Sequence, residues 1–82
     1  MEQLIHSLNA LAAVIKRQRK AKKLTQTQAG IEFNIDQSTL SSVEQGVEGT
    51  RLMTLFRILA ALDLEMVIRS KNENKKDNKE QW

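Results

Sequence analysis

At 82 residues and a net charge of +3, the chain has room for one domain with a small core. It contains no cysteine, which excludes a disulfide framework and any cysteine zinc site; with one histidine and no glycine-rich phosphate loop, no catalytic set, metal site or cofactor site is recognisable, so the chain reads as a non-enzyme. No apolar run approaches the roughly 20 residues of a membrane span, and no basic flank leads into an apolar run as in a signal peptide, so a cytoplasmic protein with no membrane partner is expected.

Leu4, Leu8, Leu11 and Ile15 recur at helical spacing, with Ala12 beside them. The pattern predicts a first helix from near Ser7, or slightly earlier, to about Ala21. Arg19 prolongs the stripe by one turn, so its stem is expected to be buried at the domain edge. Lys16, Arg17, Arg19, Lys20, Lys22 and Lys23 crowd into KRQRKAKK with no acid among them. Taken alone, the cluster is either a phosphate-binding patch or a solvated helix end whose cations complement the C-terminal dipole. Beside the motif that follows it, phosphate contact is the better reading.

Residues 25–46, TQTQAGIEFNIDQSTLSSVEQG, read as two short helices joined by a tight turn. Thr25 is placed as an N-cap, with Gln28 completing a capping box and Leu24 and Ala29 forming a weak hydrophobic staple. The second helix, about residues 26–33, is predicted to bury Ala29, Ile31 and Phe33. Gly30 within it costs about 1 kcal/mol relative to alanine, which points to close approach of a neighbouring helix. Asn34 suits a left-handed turn residue. Asp36 is placed to cap the third helix, about residues 37–45, with Ile35 and Leu40 as its staple, and Gly46 to stop it. Leu40 and Val43 face inward. The other face offers Gln37, Ser38, Thr39, Ser41 and Ser42, short uncharged groups suited to base edges and phosphates. The whole stretch has the size of a helix-turn-helix.

GVEG, residues 46–49, reads as a loop. Thr50 is predicted to cap a fourth helix reaching about Ala61, with Leu52, Leu55, Phe56, Leu59 and Leu62 inward and Met53 and Arg57 outward. After Asp63 the period becomes two: Leu64, Met66 and Ile68 alternate with Glu65, Val67 and Arg69, which predicts a short strand. No partner strand exists in the sequence. Antiparallel pairing across a twofold axis is therefore expected, with Leu64, Met66, Val67 and Ile68 building a homodimer that also supports a small, unstapled core. The division is thus residues 1–69 for DNA binding and dimerisation, and 70–82 for a disordered polar tail. That tail, SKNENKKDNKEQW, sets four lysines against three acids and ends in Trp82, the only tryptophan. Trp82 is either a chance terminal residue folding back weakly or an anchor for a pocket on a partner protein.

LTQTQAG followed by IDQSTLSSVEQG resembles the Cro/C1-type helix-turn-helix of phage repressors and xenobiotic-response-element-like bacterial regulators, over about residues 16–62. The resemblance implies a mainly α, four- to five-helix bundle that binds double-stranded operator DNA as a transcription regulator. It implies that Gln26 bonds a phosphate and buttresses Gln37, that Gln37 reaches a base edge, and that Ser38, Thr39 and Ser41 fill the remaining contact positions. Arg19 and Glu44 match a structural pair of that family. Gln28, Asp36, Ser42, Lys22 and Lys23 complete the candidate DNA-binding set. Gly30 and Asn34 depart from the usual alanine and glycine. Asp36 puts a carboxylate where many relatives are polar or basic; it serves as the N-cap, accepts from a cytosine amine, or else weakens phosphate binding.

A strand directly after the fourth helix and a polar tail ending in tryptophan resemble the HipB-type antitoxins of HipBA toxin–antitoxin modules. That resemblance implies a dimer built by the strand, nucleoid-associated when bound to its operator and autoregulating its operon. It also implies that the dimer holds a HipA-like serine/threonine kinase toxin, on which Trp82 docks. Two other readings stand beside it: a Cro/C1-type regulator without a toxin, and a protein-binding module working through its tail.

Overall fold

The computed structural model describes residues 2–71. The expected toxin anchor Trp82 and all but the first two residues of the expected tail lie outside the described residues. Four helices follow one another: α1 (Leu8–Ala21), α2 (Gln26–Phe33), α3 (Gln37–Glu44) and α4 (Leu52–Ala61). They enclose one core in which Ile15, Leu40, Ile58 and Leu62 are the largest fully buried side chains. Each helix contributes to it, with Ala29 and Phe33 entering from α2. No described helix is long and apolar enough to cross a membrane. Among the described residues no group of three or more His, Cys, Asp or Glu side chains is placed to hold a metal ion.

The helix starts differ in how they are capped. Ser7 caps α1, its hydroxyl accepting from the Ala10 N–H at 3.0 Å. Thr25 and Gln28 form the expected reciprocal box, with bonds of 3.1 and 2.9 Å. The other two expected caps fail. Asp36 occupies the N-cap position of α3 but makes no side-chain capping bond. Thr50 lies one residue too early, because the first α4 bond runs from the Leu55 N–H to the Arg51 carbonyl, and Arg51 caps nothing with its side chain.

The helix ends share one device. Lys23, Asn34, Gly46 and Asp63 all take left-handed backbone angles, with φ of 62°, 59°, 74° and 60°. In each case the next residue's N–H reaches back five positions: Leu24 to Arg19, Ile35 to Gly30, Val47 to Ser42, and Leu64 to Leu59. This is the Schellman closure, and it satisfies carbonyls that would otherwise be orphaned. The residue after each stop is apolar, and Leu24, Ile35 and Leu64 pack against the core.

Several expected core positions are corrected. Leu4 precedes α1 and is 63% exposed, and Leu8 at its first turn is 46% exposed. Ile31 is 78% exposed, since Ala29 and Phe33, one turn apart, take the inward face of α2. On α4 the inward stripe is Leu55, Ile58, Leu59 and Leu62; Leu52 and Phe56 lie on its flank and stay exposed. Residues 64–69 show no strand, for a reason inherent to a single chain: a strand needs a ladder partner, and none of the described residues supplies one. The segment leaves Met66, Val67 and Ile68 exposed, while Leu64 packs on the core.

Gly30 answers both to the turn and to the neighbouring helix expected there, since the start of α3 lies against it. A Cβ built there would lie 2.8 Å from the Ile35 carbonyl oxygen and 3.6 Å from the Gln37 nitrogen. The absence of a side chain lets the chain fold back so tightly that α3 starts against α2. Gly30→Ala should therefore lower the unfolding free energy by about 1–3 kcal/mol, the usual range for overpacking, despite alanine's better helix propensity. Urea denaturation of both proteins measures the difference.

Candidate nucleic-acid interface

α3 is held from behind by a buried ion pair. Arg19 near the end of α1 meets Glu44 at the end of α3 through two bonds, Nε to Oε2 at 2.6 Å and Nη2 to Oε1 at 3.0 Å. The side chains are 7% and 2% exposed. Arg19 Nη1 also donates to the Leu24 carbonyl at 2.6 Å, and Gln26 Nε2 donates to Glu44 Oε1 at 3.1 Å. Burial alone would push the Glu44 carboxyl up. The hydrogen bonds from Arg19 and Gln26, with the charges of Arg19 and Lys16, outweigh burial and hold it below the ordinary glutamate value. The bond to Glu44 raises the Arg19 guanidinium, opposed by burial and aided by the carboxylate's charge.

On the outer side, Gln37, Ser38 and Ser42 are exposed, while Thr39 and Ser41 are half-buried. Ser41 Oγ accepts from Gln45 Nε2 at 3.1 Å, so part of its capacity is used within the helix. Asp36 stands exposed at the head of the same surface. Gln26 does not buttress Gln37, as the family pattern implies; its amide is drawn toward Glu44. Thr27 takes that place, its hydroxyl donating to Gln37 Oε1 at 3.1 Å. No motif marks Thr27 in the sequence, although its position in the first turn of α2 sets it beside the start of α3. Gln28 has its carbonyl oxygen engaged by the cap.

The basic cluster divides by role. Arg19 turns inward, Arg17 donates to Gln3 at 2.9 Å, and Lys22 pairs with Asp63 at 2.9 Å. Lys16, Lys20 and Lys23 are exposed, free of the core side of α1. Gln18 Nε2 donates to the Leu62 carbonyl at 3.1 Å, so with Lys22 it ties the end of α1 to the end of α4.

The helix-turn-helix family model matches residues 15–68. Antitoxin HipB of Escherichia coli K12 is 35% identical over 66 residues, spanning 80% of this chain and 75% of that protein. A chain of the HipA-HipB-O2-O3 complex superimposes with a TM-score of 0.77 at 33% identity, covering 85% of this chain and 99% of that one. The restriction-modification controller protein C.AhdI from Aeromonas hydrophila gives a TM-score of 0.64 at 28% identity, covering 71% and 84%.

The depressed Glu44 carboxyl makes stability depend on pH. Where the unfolded chain binds this proton and the folded chain does not, stability rises with pH. The contribution is complete above the ordinary glutamate value, about 4.3, and is lost as pH falls through the lower folded value. Glu44→Gln should flatten that acid limb and cost about 3–5 kcal/mol at neutral pH, because it leaves a buried guanidinium unpaired. Urea unfolding across an acid-to-neutral pH series tests both parts.

Proposed function

The chain belongs to the Cro/C1-type helix-turn-helix family, among the relatives of the HipB antitoxins, and from that premise we propose a dimeric, sequence-specific repressor of its own operon that is also the antitoxin of a HipA-like serine/threonine kinase. The observation that carries this reading is an uncharged polar surface on a helix pinned from behind. Gln37, Ser38 and Ser42 face outward on α3 while Glu44, on the same helix, is bonded into the core. A surface meant only for solvent gains nothing from such anchoring, whereas base reading depends on it. Gln37 is assigned to a base edge, and Asp36, Ser38, Thr39, Ser41 and Ser42 to the groove around it. Gln26, Gln28, Lys22 and Lys23 are assigned to phosphates, supplying the salt-sensitive part of affinity. The likeness to HipB, whose structure was solved with HipA and O2-O3, supports both partners.

The exposed apolar run Met66, Val67 and Ile68 supports dimerisation. Pairing of this segment with its copy across a twofold axis would set two α3 helices roughly 34 Å apart, one turn of the duplex. Trp82 is assigned to the kinase.

In gel shifts on DNA from upstream of the gene, Gln37→Ala should lose about 1–3 kcal/mol of discrimination. Removal of Trp82 should leave the shift intact and weaken capture of a HipA-like kinase. Sedimentation equilibrium should find a dimer at micromolar concentration, and Ile68→Lys, a charge placed in the pairing segment, should sediment as monomer. A wild-type monomer there rules out the ribbon.

A further inference from the structure

We propose that Thr27 is a specificity-determining residue acting through Gln37: its hydroxyl turns the Gln37 amide so that nitrogen faces the major groove, and Gln37 thereby selects guanine. This inference rests on α3 being the recognition helix. The Thr27 hydroxyl donates to Gln37 Oε1 at 3.1 Å, across the turn between α2 and α3. In this bond the hydroxyl donates and the amide oxygen accepts, so the oxygen end of the amide lies against α2. Gln26, which the family pattern would place in this role, is committed to Glu44.

The held amide presents the two hydrogens of Nε2 outward. Guanine offers N7 and O6 side by side, two acceptors that match them. Adenine offers N7 next to the N6 amine, which asks for an oxygen where this amide offers nitrogen. Asp36 agrees with the choice. It is exposed, makes no capping bond, and lines one groove with Thr27 and Gln37. A carboxylate accepts the N4 amine of cytosine, the partner of guanine. Across the groove, a G·C pair presents acceptors followed by a donor, and Gln37 with Asp36 presents donors followed by an acceptor.

Selection from a randomised double-stranded DNA library tests the assignment. The base pair read by Gln37 is the position at which Gln37→Ala loses preference. There the wild type should favour guanine over adenine by about tenfold, and Thr27→Val, isosteric but without the hydroxyl, should reduce this to about twofold or less, since a freed amide also offers adenine its oxygen. Thr27→Ser restores the hydroxyl and should restore the preference. Adenine preferred by the wild type, or guanine preference unchanged in Thr27→Val, overturns the proposal. So does a loss of affinity shared by both Thr27 variants with base preference intact, which marks a structural role. If Gln37→Ala loses preference at no position, the recognition-helix reading falls as well, and that outcome is separate from the others. Thermal unfolding of each variant verifies that it is folded.

Discussion

The Arg19–Glu44 pair governs how α3 is presented. α3 has eight residues, too few to be stable alone, so its orientation has to come from packing. Leu40 and Val43 supply the apolar part of that packing, but apolar contact is non-directional. The two-bonded ion pair adds direction, fixing the end of α3 against the end of α1. Its burial is tolerable because the polar atoms around it are bonded in turn, Arg19 to the Leu24 carbonyl and Glu44 to the Gln26 amide. The same geometry settles why Arg19 does not belong to the surface charge of the KRQRKAKK run.

The turns are as constrained as the core. Each helix stops on a left-handed residue followed by an apolar one, which returns to the core at three of the four stops, and three of the four are not glycine. Such a stop fixes both where a helix ends and in which direction the chain leaves. After α2 the exit is tighter still, since Gly30 allows the Ile35 carbonyl to sit against the helix. α2 and α3 are thus held at their shared turn as well as by the side chains between them.

Much of this arrangement was legible in the residues. The capping box at Thr25 and Gln28, the left-handed Asn34 and Gly46, the inward Leu40 and Val43, and the buried Arg19 and Glu44 follow from local chemistry or family pattern, and the structure has them. What stayed hidden depends on neighbours. Ile31 falls on an apolar pattern yet faces out, because only one side of α2 is covered. Lys23 and Asp63 carry no turn signature as strong as glycine, although they end helices in the same way. Ile58, fully buried, was masked by the many leucines around it. The bond from Thr27 to Gln37 spans ten residues and arises only once the turn has closed. The expected strand differs from these, since its ladder would require a second chain.

The bond from Gln26 to Glu44 also bears on how such a protein diverges. Arg19, Gln26 and Glu44 share one set of bonds, so replacing any one strands a charge or an amide; substitutions there are coupled, and viable change has to occur in concert. Thr27 is exposed, and its hydroxyl is bonded to Gln37 rather than to the core. A lineage can therefore alter position 27 and leave the scaffold untouched. Duplicated copies of such a gene could drift toward separate binding sites, and so become insulated from one another, before either loses its fold.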